Sequence, residues 1–150
     1  MAQSSNLDPA QLLRRVSEVL EACSIPYCVG GSIASGIRGE WRSTNNIDFV
    51  VLITEPQAEA LCRELEPTCF ADSIAACRAV REERTFNIID KESVLKLDFF
   101  TRSDDFQKSQ IARATSVNIP GADFSARIAT AEDTILAKLR WYQLGGEQSE

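Results

Sequence analysis

Three short stretches of this 150-residue chain carry groups that could hold a phosphate or a divalent cation. The first is Gly30-Gly31-Ser32, which follows the short apolar segment 27–29. Glycines let a ligand approach the backbone closely, and the amides at a helix N-terminus attract anions such as phosphate. The Ser32 hydroxyl could add a hydrogen bond. A plain tight turn between a strand and a helix explains the same residues equally well, so this stretch alone does not establish a site.

The second stretch is Asn46-Ile47-Asp48, at the start of an almost wholly apolar, β-branched run over residues 47–53. Residues two apart in a strand point to the same face, so Asn46 and Asp48 should converge on one spot. A carboxylate in such a strand is costly unless it is paired or binds a metal. The alternative is that both side chains cap the entry of the strand by hydrogen bonding to backbone.

The third stretch contains Asp98, which lies inside a second apolar run over residues 94–100. One such aspartate could simply pair with an arginine or lysine, whereas two in separate central strands indicate a shared site. Mg²⁺ typically uses one or two carboxylates, together with waters and substrate phosphates. We therefore predict a Mg²⁺ site formed by Asn46, Asp48 and Asp98.

The composition of the chain excludes several other kinds of catalytic and binding site. The chain has no histidine, which excludes a Ser-His-Asp triad, a Cys-His nucleophile and His-ligated zinc. The net charge of −6 argues against a surface that binds nucleic acid through bulk attraction of its phosphates. A local basic groove is still compatible with this net charge. The cysteine count is odd and no pair has Cys-x-x-Cys spacing, so we expect reduced thiols at Cys23, Cys28, Cys62, Cys69 and Cys77.

The organisation of the chain is expected to be simple. A length of 150 residues suits one domain, here over residues 8–150, after a loose tail over residues 1–7. No apolar run approaches the roughly 20 residues that span a bilayer, and the N-terminus lacks the pattern of a signal peptide. We therefore expect a cytoplasmic protein without a membrane partner.

Hydrophobic periodicity predicts an α/β (α+β) fold with a mixed sheet, not a doubly wound parallel one. The predicted helices cover residues 9–23, 32–37, 54–66, 72–80 and 104–114, with a last helix after Thr130 that stops at Gly145-Gly146. The predicted strands cover residues 27–29 and 47–53, a hairpin over 85–90 and 94–101, and a small edge hairpin over 117–119 and 125–129. The predicted buried stripe of the last helix is Ile135, Leu136, Leu139 and Tyr142.

The order and spacing of these motifs resemble the minimal nucleotidyltransferase superfamily. The residues that carry the likeness are Gly30-Gly31-Ser32, then Arg42-x-Thr44-x-Asn46-Ile47-Asp48, then Asp98. The nearer resemblance is to the abortive-infection-type, toxin–antitoxin-associated branch and its uncharacterised relatives, because residues 129–139 resemble that branch's lysine-bearing C-terminal helix. The likeness spans about residues 26–142 and implies a nucleotidyltransferase-type mixed β-sheet flanked by helices.

Members of this superfamily transfer a nucleoside monophosphate from an NTP to a hydroxyl, with two Mg²⁺ ions. Carried over by position, the resemblance implies that Gly30, Gly31 and Ser32 hold the triphosphate. It also implies that Asp48 binds metal and that Asp98 activates the attacking hydroxyl.

Two basic residues are less specific. The resemblance implies that Lys138 reaches phosphate oxygens, although a solvated helix lysine explains it equally well. Arg42 could also help to bind phosphate, but a solvated loop arginine is the simpler interpretation.

One departure from the family pattern leaves two hypotheses open. The family's first metal-binding aspartate falls on Asn46, which offers a carbonyl oxygen without a charge. A two-metal site relies on anionic ligands, so this change should weaken Mg²⁺ binding. The chain is then either a Mg²⁺- and NTP-dependent nucleotidyltransferase that modifies a protein or an RNA such as a tRNA end, or a degenerate nucleotide-binding or regulatory module, such as a toxin–antitoxin partner.

Overall fold

The computed structural model describes residues 8–30, 33, 45–119 and 122–144. In chain order the elements in these ranges are α1 (Pro9–Ala22), β1 (Tyr27–Gly30), β2 (Asn46–Val51), α2 (Glu55–Leu65), β3 (Cys69–Phe70), α3 (Ser73–Arg81), β4 (Thr85–Asp90), β5 (Lys96–Phe100), α4 (Asp105–Arg113), β6 (Thr115–Asn118), β7 (Ser125–Ile128) and α5 (Ala131–Gln143). The predicted tail over 1–7, the short helix over 32–37 and the stop at Gly145-Gly146 lie outside the described residues.

The strands form one mixed sheet in the order β3-β4-β5-β2-β1-β7-β6. The pairs β2–β5 and β1–β7 are parallel, and the other neighbours are antiparallel. The predicted β4–β5 hairpin is present, and the predicted edge hairpin is present as β6–β7. The predicted mixed sheet flanked by helices is therefore confirmed.

The two faces of the central strands have different roles because side chains alternate along a strand. Ile47, Phe49 and Val51 of β2 are fully buried in the main core, on the face that packs against α1 and α2. Phe49 stacks on Phe99 of β5 with ring centroids 5.2 Å apart. The opposite face carries a much smaller apolar cluster around Val50, so it has room for polar groups.

Two ion pairs attach α5 to α4. Arg113 binds the buried carboxylate of Asp133 with N–O distances of 2.8 and 3.0 Å. Arg140 pairs with Asp104, whose side chain also caps the N-terminus of α4 by accepting from the Gln107 amide at 3.0 Å. The buried residues of α5 are consequently polar, namely Asp133 and Thr134.

The prediction of a buried apolar stripe on α5 is wrong. Ile135, Leu136, Leu139 and Tyr142 are between 48% and 61% exposed. Helical periodicity finds an apolar stripe but does not show whether that stripe faces the helix's own domain. Here the ion pairs with α4 hold the opposite side of α5 against the domain, so the apolar side points outward.

The five cysteines are all free, with Cys28, Cys62 and Cys69 buried. Within the described ranges, no helix has the length and apolar character needed to cross a membrane.

Candidate functional site

The parallel pairing of β2 and β5 brings the two predicted acidic residues side by side. Asp48 is the register partner of Asp98, so both carboxylates lie on the less covered face of the sheet. The Asn46 amide lies between them, and its Nδ2 donates to Asp48 Oδ1 at 3.0 Å and to Asp98 Oδ2 at 3.1 Å. The structure therefore brings together Asn46, Asp48 and Asp98. Strand alternation accounts for the first two, and the pairing of β2 with β5 adds Asp98.

The surroundings of Asp48 and Asp98 make it unfavourable for both carboxylates to be charged at once. Burial is the main cause that raises the pKa of Asp48 to about 6, and the neighbouring Asp98 carboxylate adds to the rise. The hydrogen bond from Asn46 and the charge of Lys96 act in the opposite direction. Lys96 Nζ lies 3.9 Å from Asp98 Oδ1, but this lysine is half exposed, so its charge is well screened.

We expect Asp48→Asn to stabilise the metal-free protein at neutral pH. Because the folded-state pKa of Asp48 is raised to about 6, the folded protein holds more protons than the unfolded chain between about pH 4 and pH 6. The stability contribution of this group is therefore lost as the pH rises through that window. Asparagine keeps the acceptor for Asn46 and removes the charge, so the free energy of unfolding should rise by roughly 1–3 kcal/mol at pH 7 and hardly change near pH 4.

Denaturant unfolding in EDTA at both pH values measures this effect, and Asp133→Asn is the matched control of opposite sign. Arg113 lowers the pKa of Asp133, so the stability that this carboxylate contributes is present above about pH 4 and is lost only at lower pH. The control should therefore lose stability at pH 7 and nearly as much at pH 4. If Asp48→Asn were as destabilising as the control at neutral pH, the charged carboxylate of Asp48 would not be unfavourable in the folded protein.

An open cavity of about 700 Å³ lies over the acidic pair. Its floor includes Gly30, Asn46, Asp48 and Asp98, and its walls come mainly from α4, α5 and the segment after β5. Gly30 is the cross-strand neighbour of Asp48, so the predicted glycine turn begins beside the acidic pair. Gly31, Ser32 and Arg42 lie outside the described residues, so their predicted roles stay predictions.

Four basic side chains line this cavity, in a protein whose net charge is −6. They are Arg84, Arg102, Lys138 and Arg140. Lys138 was a predicted site residue, and α5 places it on the same cavity as the acids. The three arginines were not predicted from the sequence. The one available signal was the position of Arg102, which follows the acid-bearing strand β5 almost directly.

Two glutamines one turn apart on α4 complete the wall. Gln110 is only 2% exposed. Within the described part of the chain, the Oε1 atom of Gln107 is buried without a hydrogen-bond partner. Leaving a buried polar group unsatisfied costs about 1–3 kcal/mol. Such a cost is expected where the group serves a ligand. Glutamines on helices are usually solvated, so the sequence did not indicate that these two would line a cavity.

The donor set fits one divalent cation better than two. Among the described residues, no group of three or more cysteine and carboxylate side chains could hold a metal ion. Asp48 and Asp98 supply two adjacent carboxylates, and Mg²⁺ is commonly held by one or two carboxylates together with substrate phosphates. Asn46 presents its amide nitrogen to both acids, and its oxygen could serve as a ligand only after the amide turned.

No protein-family model and no curated protein matches the sequence. Solved structures do match. A Thermotoga maritima protein described as a "putative nucleotidyltransferase" superposes with a TM-score of 0.57 over 96% of this chain and 92% of its own, at 12% identity. An "antigenic nucleotidyltransferase-like protein" from Paracoccidioides brasiliensis covers 91% of this chain and 69% of its own, with a TM-score of 0.48 and 17% identity.

The first of these similarities identifies the fold. This chain has the α/β architecture of a nucleotidyltransferase-like protein, as its motifs predict. The placement in the toxin–antitoxin branch stays a prediction.

Proposed function

We propose that this protein is a Mg²⁺-dependent nucleotidyltransferase that moves a nucleoside monophosphate from an NTP to a hydroxyl group on a protein or an RNA. The observation that carries the proposal is the pairing of Asp48 and Asp98 at the floor of a cavity whose walls carry Lys138 and Arg102. Carboxylates alone would repel a nucleotide, and basic groups alone would bind any anion. Their combination suits a polyphosphate that arrives with a divalent cation.

Each part of the cavity has a task in this reaction. Gly30, with the predicted turn at Gly31 and Ser32, would bind the triphosphate from the floor. Lys138 and Arg102 on the walls would neutralise its charge. Mg²⁺, held by Asp48 and Asp98, would polarise the phosphoryl group that is transferred.

The transfer step is an in-line displacement at the α-phosphorus. The acceptor oxygen forms a bond to that phosphorus, the bond from the phosphorus to the bridging oxygen breaks, and pyrophosphate leaves. Asp98 is the side chain to which we assign the proton of the acceptor hydroxyl. Its side chain is only 13% exposed, which limits competition from water for the same proton.

A thermal shift experiment tests the nucleotide site. We expect Mg²⁺ with a non-hydrolysable NTP analogue to raise the Tm by about 5–10 °C when the ligand is at 100 times its Kd. Neither component alone should do so. Asp48→Ala should lose the shift, whereas Asp105→Asn, at an exposed position on α4 outside the cavity, should keep it. The absence of a shift with all four nucleotide bases would contradict the proposal.

A second candidate function has its own observation in support. The Asn46 amide already bridges Asp48 and Asp98, which stabilises the acidic pair without a metal. This arrangement suits a degenerate module that binds a nucleotide or regulates a partner with little catalysis. Incubation with labelled NTPs and a cell lysate separates the two functions. Label on a protein or RNA supports transfer, and a nucleotide-induced Tm shift without label supports the binding module.

The resemblance to the toxin–antitoxin branch narrows the choice of acceptor. We extend the proposal to a partner protein encoded beside this one, with a tRNA end as the other acceptor to be tested. The purified neighbour and bulk tRNA, offered separately with labelled NTP, distinguish these acceptors.

A further inference from the structure

The helix α4 runs along the cavity from its acidic floor to an aromatic end. At the floor, Gln110 Nε2 lies 3.8 Å from the point where a side chain on Gly30 would begin. At the other end, the first turn of α4 meets the last turn of α5, because Arg140 pairs with Asp104. The Arg140 guanidinium also lies over the Phe106 ring, 5.2 Å from its centroid. The helix therefore connects two chemically different parts of one cavity.

The aromatic end offers surfaces on which a nucleobase can stack. Phe106 and Trp141 line the cavity, together with Leu144 at the C-cap of α5. Aromatic side chains stack on every base, so they bind a base without selecting one. A nucleotide with its triphosphate at Gly30 and its base against these rings must place its sugar between the two.

Gln107 lies between these two parts of the cavity. It follows Phe106 directly and precedes Gln110 by three residues, about 4.5 Å along the helix axis. Its side chain is partly buried and lines the cavity. Its Oε1 atom accepts no hydrogen bond within the described residues, so turning this oxygen toward the cavity breaks none that it makes. The middle of the cavity therefore has an acceptor that can serve a donor on the ligand.

The donors that a nucleotide carries at this position are the hydroxyls of its sugar. An amide oxygen accepts a hydrogen bond from a hydroxyl, and the gain is larger when the acceptor was unsatisfied beforehand. Ribonucleotides and deoxyribonucleotides share the 3′-hydroxyl, whereas the 2′-hydroxyl is present in ribonucleotides alone. A contact with the 2′-hydroxyl would therefore make the cavity selective for one class of nucleotide.

We propose that Gln107 Oε1 accepts a hydrogen bond from the 2′-hydroxyl of the bound nucleotide, so that the protein selects ribonucleoside triphosphates over deoxyribonucleoside triphosphates. The inference rests on the proposed function, because it takes the triphosphate to lie at Gly30 beside the acidic pair. Gln107 is then a specificity-determining residue with no part in the transfer step. Its unsatisfied oxygen in the ligand-free protein is what this selectivity requires.

Calorimetric titration in Mg²⁺ tests this with three non-hydrolysable triphosphate analogues that share the base giving the largest Tm shift. They carry ribose, 2′-deoxyribose or 3′-deoxyribose. We expect the wild type to bind the ribose analogue about 10- to 100-fold more tightly than the 2′-deoxy analogue. The 3′-deoxy analogue should bind within about threefold of the ribose analogue, because it keeps the hydroxyl that Gln107 contacts.

Gln107→Leu removes the acceptor at similar size, so it should bring the two affinities to within about twofold of each other. Gln107→Glu keeps an acceptor and should keep most of the preference, even if its charge weakens the binding of both analogues. Because Oε1 has no partner in the ligand-free protein, Gln107→Leu should leave the Tm unchanged or raise it.

Gln110→Leu is the matched control, because it makes the same change one turn along α4, beside Gly30. It should affect the ribose and 2′-deoxy analogues equally and keep their ratio. Equal binding of these two analogues by the wild type would overturn this inference and leave the proposed function standing. A preference that survives in Gln107→Leu, or that disappears equally in Gln110→Leu, would do the same. Absence of binding by all three analogues would overturn both.

Discussion

Replacing Asp98 with asparagine is expected to abolish nucleotidyl transfer while leaving the fold intact. Asparagine has the same shape and still offers an oxygen to the Asn46 amide, which lies 3.1 Å from Asp98 Oδ2. It cannot accept the proton of the acceptor hydroxyl and is a poor ligand for Mg²⁺. Loss of a general base alone lowers rates by about 10²–10⁴-fold, and weaker metal binding adds to this loss.

The measurement is incorporation of labelled nucleotide into the acceptor, with the Tm recorded alongside. Asn87→Ala is the matched control, because Asn87 is the register neighbour of Asp98 on β4 but lies outside the cavity lining. This control should retain most of the rate. Transfer by Asp98→Asn at the wild-type rate would show that the proton goes elsewhere, and would remove Asp98 from the catalytic role.

Introducing aspartate at Asn46 should have the second largest effect, with opposite signs on metal binding and on stability. A third carboxylate beside Asp48 and Asp98 would add an anionic ligand to the pair, so we expect Mg²⁺ affinity to rise at least about tenfold. Without metal the same change removes the amide that bridges the two acids and adds a like charge. The metal-free variant should therefore be less stable than the wild type at pH 7.

Calorimetric titration with Mg²⁺ and unfolding with and without the ion measure both effects. Asn46→Ala removes the bridge without adding charge, so it should destabilise the protein without a gain in Mg²⁺ affinity. An unchanged or lower affinity in Asn46→Asp would mean that position 46 does not contact the metal.

The floor of the candidate site could be predicted from the sequence because it depends on a local rule. The side-chain period of a strand puts Asn46 and Asp48 on one face, whatever else the chain does. That Asp98 joins them depends on the parallel pairing of β2 and β5, which the two apolar runs did not specify. The predicted roles of Gly31 and Ser32 stay predictions.

The walls of the cavity could not be predicted, because tertiary packing decides them. Nothing in the local sequence distinguishes Arg84 or Gln110 from ordinary surface residues, yet both line the cavity. The prediction of which side of α5 is buried was wrong for the same reason. Its apolar stripe was identified correctly, but the ion pairs Arg113–Asp133 and Arg140–Asp104 turn the stripe away from the core.

The pairing of β2 with β5 also limits how this site can evolve. Asp48 faces Asp98 while the next pair, Phe49 and Phe99, stacks in the core on the reverse side. Inserting or deleting one residue in either strand would exchange these two sets, exposing the aromatic rings and burying the acids. The chemistry of the cavity can therefore change by substitution, but the strands beneath it should tolerate no change of length across the lineage.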